Sequence, residues 1–255
     1  MSCWIDAHAI DRDVARIATD DPVLWREIRR FNLPVKLALA AAQRVSGSLV
    51  RPSHTRLVAL APCRPGSPEL RAISRDADAG LARGACGQLR VNPIYTLHAI
   101  DNLALSALAI RLENREPAVC FGGAAGQAFV ALEYAMDELA ASGGSGVIEA
   151  AGDVLIVGGD QGEASLRGEP GDAEACGVAI VLSTRPHRVR LVAIERTPIG
   201  DLGRAAGEPP APHAVRGIAR WLDALADAPA GTHRHRVPTR DGDGIDQLAI
   251  VVEVA

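Results

Sequence analysis

Apolar and polar positions along the chain follow two alternating patterns. From Asp21 to Val45 the apolar residues recur every three or four positions, which predicts two short helices or one helix broken at Pro34. The short apolar runs LVALAPC at 57–63 and DVLIVGGD at 153–160 have the length, and the proline or glycine endings, of buried strands. Strands and helices are therefore expected to alternate.

The middle of the chain shows this alternation most clearly. A helical pattern over residues 102–111 precedes the apolar run AVCFGG at 118–123, which stops at two glycines. A longer helix is predicted over residues 127–141, because its large apolar residues share one face. These residues are Phe129, Leu132, Ala135, Met136 and Leu139. The sequence thus predicts a strand, a tight turn and a helix in succession.

The last third of the chain adds more strands than helices. CGVAIVLS at 176–183 and VRLVAIERT at 189–197 are predicted to form a pair of strands, and DQLAIVVEV at 246–254 a final strand. Between them a short helix is predicted over residues 215–226. The whole pattern favours an α/β fold, with a mostly parallel sheet covered by helices on both faces.

The composition of the chain predicts a globular protein, and its charge argues against a nucleic-acid-binding function. With 255 residues, of which 48% are hydrophobic, the chain can bury a substantial core. It carries 27 basic and 31 acidic residues, and Lys36 is its only lysine. A nucleic-acid-binding protein would be expected to carry a clustered basic excess, so no nucleic-acid partner is expected.

The five cysteines are an odd number, lie far apart and never form a CxxC pair. Neither a disulfide framework nor a zinc site is therefore indicated, and a reducing compartment fits best. The first residues show no apolar core after a basic stretch, and no run approaches the roughly 18 apolar residues of a membrane span. A cytoplasmic protein without a membrane span is expected.

The turn GGAAGQAF at 122–129 is the first candidate site. A strand that runs through small residues into a helix presents free N–H groups and a positive partial charge to a bound anion. None of residues 122–126 has a nucleophilic side chain, however, and tight packing of helix on sheet explains the small residues equally well. The glycine spacing does not match a dinucleotide fingerprint, so no cofactor is expected.

Other polar residues have simpler interpretations. Cys120 lies within an apolar run, which favours a buried cysteine over a reactive one. His233, His235, Asp241 and Asp243 could form a metal cluster, but their polar surroundings favour a solvated surface segment, and no metal is expected. His98 is either a core histidine with a satisfied hydrogen bond or a polar residue in a pocket.

Three segments of the chain resemble the N-terminal half of a β-ketoacyl synthase of the thiolase superfamily. They are residues 92–143, DVLIVGGD at 153–160 and EACGVAIVLS at 174–183. The matching positions are Asn102, Pro117, Gly158, Gly159 and Gly177. The resemblance implies a single domain over residues 1–255 with a central mixed, mostly parallel five-stranded sheet. The match is best over residues 21–200, and residues 201–255 form a weakly matching extension.

The resemblance also locates the position where such enzymes carry a nucleophilic cysteine. Counting from Pro117 without gaps places Ala125 there, and a shift by two residues would place Gly123 there instead. Cys120 cannot take this role without a change of register that inverts the buried face of the following helix. A complete synthase has a second half that supplies two catalytic histidines, for which this chain is too short. No acyl transfer through a thioester is therefore expected.

Truncated synthase-like proteins of this pattern resemble the chain length factors of type II polyketide systems, in particular those of aryl polyene clusters. The resemblance implies a heterodimer with a complete ketosynthase, and an acyl carrier protein that acts through that complex. Val119, Cys120 and Phe121 would then lie at the two-fold interface. His98, Ile100 and Phe129 would line the acyl tunnel and limit product length.

Two alternatives remain open. The chain could be a homodimeric acyl-binding or scaffolding protein that has kept the fold without the chemistry. It could also be an independent hydrolase or decarboxylase that uses the 122–127 turn as an oxyanion hole, although no general base is evident near that turn.

Overall fold

A computed structural model describes residues 2–61, 103–122, 126–142, 152–161, 175–198, 214–241 and 244–255. Within these ranges the strands are β1 (Cys3–Asp11), β2 (Arg56–Leu60), β3 (Ala118–Phe121), β4 (Val154–Asp160), β5 (Cys176–Ser183), β6 (Val189–Pro198), β7 (Gly231–Asp241) and β8 (Gly244–Val254). The helices are α1 (Val14–Asp20), α2 (Pro22–Ile28), α3 (Leu33–Val45), α4 (Leu103–Arg111), α5 (Gln127–Ser142) and α6 (Ala214–Ala226).

The described strands form one sheet in the order β3-β2-β4-β5-β1-β6-β8-β7. Strands β3, β2 and β4 are parallel, whereas β5 is antiparallel to both β4 and β1. In the part from β3 to β1, four of the five strands therefore point the same way. This confirms the predicted α/β class with a mixed sheet, but the predicted number of five strands is wrong.

The sheet is larger and less parallel than predicted. Strands β6, β8 and β7 extend it beyond β1, and all of their pairings are antiparallel. Among the described strands only the pairs β2–β3 and β2–β4 are parallel. The predicted pairing of β5 with β6 is also wrong, because both strands pair with β1, which lies between them.

Two strands were not predicted, for different reasons. β1 carries Asp6 and His8 among its apolar residues, so that it lacks the continuous apolar run of β4 or β5. β7 was interpreted as a solvated surface segment, but it pairs along its whole length with β8. An edge strand contacts the sheet along one side only, so polar side chains cost it little.

Helices cover both faces of the sheet, as predicted. α5 and α6 share one apolar cluster with the strands, and α1 to α4 share the other. The predicted helical region 21–45 consists of two helices, α2 and α3. Pro34 lies in the first turn of α3, where no backbone donor is lost, and the Asn32 side chain accepts a hydrogen bond from the Val35 amide at 3.2 Å.

Two glycines determine how closely α3 packs on the sheet. Gly159 and Gly177 are cross-strand partners in the β4–β5 pair. A Cβ atom on Gly159 would overlap the carbonyl oxygen of Pro34, and one on Gly177 would overlap that of Leu37. The backbone of α3 therefore lies directly against the strands. Any residue other than glycine at position 159 or 177 would prevent this close contact.

An ionic network lies at the other end of β4 and β5, away from Gly159 and Gly177. Arg185, in the turn between β5 and β6, pairs with Asp6 of β1 and with Asp153 at 2.8 Å. The Asp153 carboxylate also accepts a hydrogen bond from the Val50 amide at 2.8 Å. Because Asp153 is buried, these donors satisfy a carboxylate that would otherwise be costly to bury.

Candidate functional site

Strand β3 has an open edge in the part of the chain that the structure describes. β3 pairs with β2 on one side and ends the sheet on the other. The Phe121 carbonyl accepts a hydrogen bond from the Ala61 amide at 2.8 Å, so the backbone of Phe121 faces β2. Because successive strand residues direct their backbone groups to opposite sides, the amide and carbonyl of Cys120 face the open edge.

Partly exposed apolar side chains flank this edge on both faces of the sheet. On one face the Phe121 ring lies 5.7 Å from the ring of Tyr134 in α5 at a tilted angle, a favourable aromatic geometry. On the other face Cys120 packs against the cluster that contains α3 and α4. Val119 is also half-buried. The outer side of β3 thus has apolar surroundings within the described residues.

The turn after β3 leads directly into α5. Gly122 is exposed, and a Cβ atom there would contact only Cγ of Gln127 at 3.8 Å, so packing does not require a glycine at this position. Gly126 is buried, and its carbonyl accepts the first helical hydrogen bond, from Phe129 at 3.1 Å. Gly123 and Ala125, the two predicted positions of the missing nucleophile, lie outside the described residues.

The predicted buried face of α5 is confirmed. Four of its residues are no more than 2% exposed, and Met136 packs against the same cluster while half-buried. These four are Phe129, Leu132, Ala135 and Leu139. Phe129 lies in the core shared by α5, α6 and the sheet. Its role in lining an acyl tunnel stays a prediction, and the other two predicted tunnel residues, His98 and Ile100, lie outside the described residues.

The described cysteines differ in their environments. Burial raises the pKa of Cys3 to about 12. Burial and the nearby Asp160 carboxylate together raise the pKa of Cys176 to about 11. Cys120 is only partly buried, in contrast to the buried position that its apolar run predicts, because β3 is an edge strand.

Thiol labelling is expected to follow these environments. At pH 8 the native protein should alkylate at Cys3 and Cys176 at least about a hundredfold more slowly than the urea-unfolded chain, because the reactive thiolate is suppressed. Cys120 should react faster than both. Mass spectrometry of the labelled peptides measures each site separately. Labelling of Cys176 at its unfolded rate would contradict its buried placement.

The proposed metal residues do not form a cluster in the described part of the chain. No group of three or more potential metal-binding side chains occurs there. His233 lies on β7 with its Nε2 atom 2.6 Å from the Pro229 carbonyl oxygen. His235 is half-buried, and burial lowers its pKa below the ordinary value. Asp243 lies outside the described residues.

A buried ion pair that the sequence does not predict lies at the carboxyl end of β4. Arg216 Nε lies 2.8 Å from the Asp160 carboxylate, and the two side chains are 10% and 1% exposed. Arg216 lies in the first turn of α6, and the adjacent Val215 packs where Gly158 leaves room on β4. The pair therefore fixes the start of α6 on the sheet. Its sequence signal is limited to an aspartate that ends a buried strand after two glycines.

No helix in the described ranges is both long and apolar enough to cross a membrane. The chain matches no protein-family model and no curated protein sequence. Its similarity to known proteins is therefore found at the level of structure.

Several solved structures match over nearly the whole chain. The ishigamide ketosynthase/chain length factor matches with a TM-score of 0.60 and 13% identity, covering 100% of both chains. The structure of the ketosynthase ApeO with its chain length factor ApeC from Xenorhabdus doucetiae matches with a TM-score of 0.55 and 13% identity, covering 98% of this chain and 99% of that one.

A third match is the AntDE:AntF structure, a type II polyketide synthase acyl carrier protein in complex with its ketosynthase. Its TM-score is 0.62 at 9% identity, covering 100% of this chain and 99% of that chain. At 9–13% identity, the likeness to these three structures concerns the fold. The chain therefore has the thiolase-like fold of ketosynthases and chain length factors.

Proposed function

We propose that this chain is a non-catalytic, chain-length-factor-like subunit that pairs with a complete β-ketoacyl synthase. The pair would act in polyketide, aryl polyene or fatty-acid-type biosynthesis, with an acyl carrier protein as the substrate donor. In this assembly the partner holds the growing acyl chain on its own cysteine. This chain shapes the tunnel in which the acyl group lies.

The observation that carries the proposal is the place of β3 at the end of the described sheet, next to a segment without a nucleophile. Residues 122–126 contain only glycine and alanine. Cys3 and Cys176 are buried with raised pKa values, so neither supplies a reactive thiolate. Cys120 belongs to β3 itself, upstream of the turn. These features therefore support a binding role for this subunit better than they support a role in acyl transfer.

The edge of β3 is suited to pairing with a second subunit. An exposed strand edge is a template for another strand, and main-chain hydrogen bonds across it supply affinity. Phe121 and Tyr134 on one face, and Cys120 on the other, add apolar surface beside those bonds. Val119, Cys120 and Phe121 are therefore proposed as interface residues. A sheet continued across this edge would bring the 122–126 turns of both subunits close together.

The tunnel role is proposed for residues near that turn. Phe129 begins the buried face of α5 within three residues of the turn. His98 and Ile100 precede α4 in the sequence, and α4 leads to β3. Bulk at these positions would limit the length of the acyl chain. Ala125, or Gly123 in the shifted register, replaces the cysteine that the partner subunit retains.

Proline at position 120 is expected to block the interface while preserving the fold. Cys120→Pro removes the amide donor that faces away from β2, and proline is tolerated in edge strands. Cys120→Ser is the matched control, because it removes the same thiol and keeps the amide. The proline variant should bind the ketosynthase at least about tenfold more weakly than the serine variant.

Circular dichroism and the melting temperature of the two variants show whether the fold is intact. Binding is measured by titrating the purified ketosynthase and following the size of the complex by light scattering. Equal affinity of both folded variants would exclude the β3 edge as the interface. Self-association that only the proline variant loses would favour the homodimeric alternative.

A further inference from the structure

A small cavity opens where the end of β1 meets the helices α1, α2 and α3. Its volume is about 110 Å³, well above the roughly 10–15 Å³ that one water molecule requires. Strands β2, β4 and β5 lie between β1 and β3 in the sheet, so this cavity is separate from the candidate site at β3. We refer to it as the β1-end cavity.

The floor of the β1-end cavity is apolar. Ile17 of α1, Leu24 of α2 and Ala40 of α3 line it, and each is no more than 5% exposed. The three side chains belong to the apolar cluster that α3 shares with the sheet, so packing of the helices fixes their positions. Such a floor suits a short hydrocarbon segment better than it suits a hydrated metal ion.

The rim of the cavity is charged and has one more carboxylate than it has cations. Asp11, Asp20 and Asp21 supply three carboxylates, and Arg16 and Arg44 supply two guanidinium groups. Arg16 pairs with Asp20 at 2.8 Å, so these two charges neutralise each other. One cation, Arg44, is then left for the two carboxylates of Asp11 and Asp21.

The Asp11 carboxylate is buried and only loosely paired. Asp11 is 8% exposed, and the nearest Arg44 nitrogen lies 3.7 Å from its Oδ2 atom, beyond hydrogen-bond distance. The same nitrogen donates a hydrogen bond to the Ile10 carbonyl at 3.3 Å. Burial raises the pKa of the Asp11 carboxyl, although the Asp13 amide and Arg44 oppose this rise. A second cation would therefore stabilise this carboxylate.

The Asp21 carboxylate has no cation beside it in the part of the chain that the structure describes. It caps α2 by accepting a hydrogen bond from the Leu24 amide at 2.8 Å. A carboxylate offers about four acceptor positions, so this cap leaves others available. A cation that enters the cavity would thus meet two carboxylates that Arg44 compensates only in part.

We propose that the β1-end cavity binds a primary alkylammonium group. The ammonium contacts Asp11 and Asp21, and the hydrocarbon part lies on the apolar floor. A metal ion fits less well, because the described residues contain no group of three side chains suited to one and the rim carries two arginines. A small free amine and a lysine side chain of a partner protein share this chemistry. No residue of β3 takes part, so the inference does not depend on the proposed function.

The first test titrates the whole chain with n-butylammonium chloride and, as an uncharged ligand of the same length, n-butanol. Amide shifts of the isotope-labelled protein should saturate in α1, α2 and α3 with a Kd of about 1–10 mM, and n-butanol should bind at least about tenfold more weakly. Equal binding of n-butanol would overturn the inference, as would shifts confined to other parts of the chain. A capped Gly-Lys-Gly peptide that binds more tightly than the amine would identify a protein side chain as the ligand, and weaker binding would identify a small amine.

The second test removes the two carboxylates without changing the shape of the rim. Asp11→Asn/Asp21→Asn is the variant, and asparagine caps a helix as well as aspartate does. Asp137→Asn/Asp227→Asn is the control, with the same change in net charge at two exposed positions elsewhere. The rim variant should bind n-butylammonium at least about tenfold more weakly than wild type, and the control should change by less than about twofold. Wild-type affinity in the rim variant, with its fold verified by circular dichroism, would contradict the proposed site. The comparison with n-butanol uses the wild-type chain and does not depend on how the variant folds.

Discussion

Replacing Gly159 with alanine is expected to destabilise the fold by about 3 kcal/mol or more. The added Cβ atom would overlap the Pro34 carbonyl oxygen, so α3 must move away from β4 and β5. α3 is buried along most of its length, and its displacement would open the cluster that it shares with the sheet. Urea unfolding followed by circular dichroism measures the loss.

Gly47→Ala is the matched control for this prediction. No atom lies within 4 Å of the position that its Cβ would occupy, so its stability should change by less than about 0.5 kcal/mol. Gly177→Ala should behave like the Gly159 variant, because its Cβ would overlap the Leu37 carbonyl oxygen. A Gly159→Ala protein as stable as the Gly47 control would show that α3 does not lie against the strands as described.

Arg216→Met is expected to cost about 3–5 kcal/mol, because it leaves the Asp160 carboxylate buried without its cation. The Asp160 side chain is only 1% exposed, so water cannot replace the guanidinium. The first turn of α6 would lose its attachment to the end of β4. Thermal and urea unfolding would show the loss, and amide exchange in α6 would locate it.

The double variant Asp160→Leu/Arg216→Met separates charge from packing. Removing both charges leaves no uncompensated ion, so the double variant should recover most of the stability lost by Arg216→Met. A double variant less stable than the single one would mean that the pair stabilises the protein beyond the neutralisation of Asp160. An Arg216→Met protein with wild-type stability would contradict the buried ion pair.

The sequence predicts those helices and strands whose own apolar residues mark the faces that they bury. β4 and β5 are buried on both faces, so each appears as an uninterrupted apolar run. α5 buries one face, so its apolar residues recur at helical spacing. These elements determine the α/β class and the strand, turn and helix around residues 122–126.

Two of the missed features depend on contacts between distant parts of the chain. β1 comes first in the sequence but pairs with β5 and β6, which no local pattern indicates. β7 was missed for another reason, because it pairs with the next strand, β8, but has no apolar run of its own. The Asp160–Arg216 pair likewise joins two elements far apart in sequence, with no motif at either residue.

For the candidate site, the sequence predicts the types of residue present but not their place in the sheet. The small residues of the turn and the absence of a nucleophile there are visible in the sequence. The open edge of β3 is not visible, because it depends on the order of strands in the sheet. That order places an ordinary apolar run at the end of the described sheet.

The most direct test of the central claim is co-expression of this chain with a complete ketosynthase from the same organism. Size-exclusion chromatography with light scattering gives the mass of the purified species. The account predicts a stable one-to-one heterodimer in which Cys120 is protected from alkylation. A homodimer or monomer that leaves the ketosynthase unbound, with Cys120 still reactive, would contradict it.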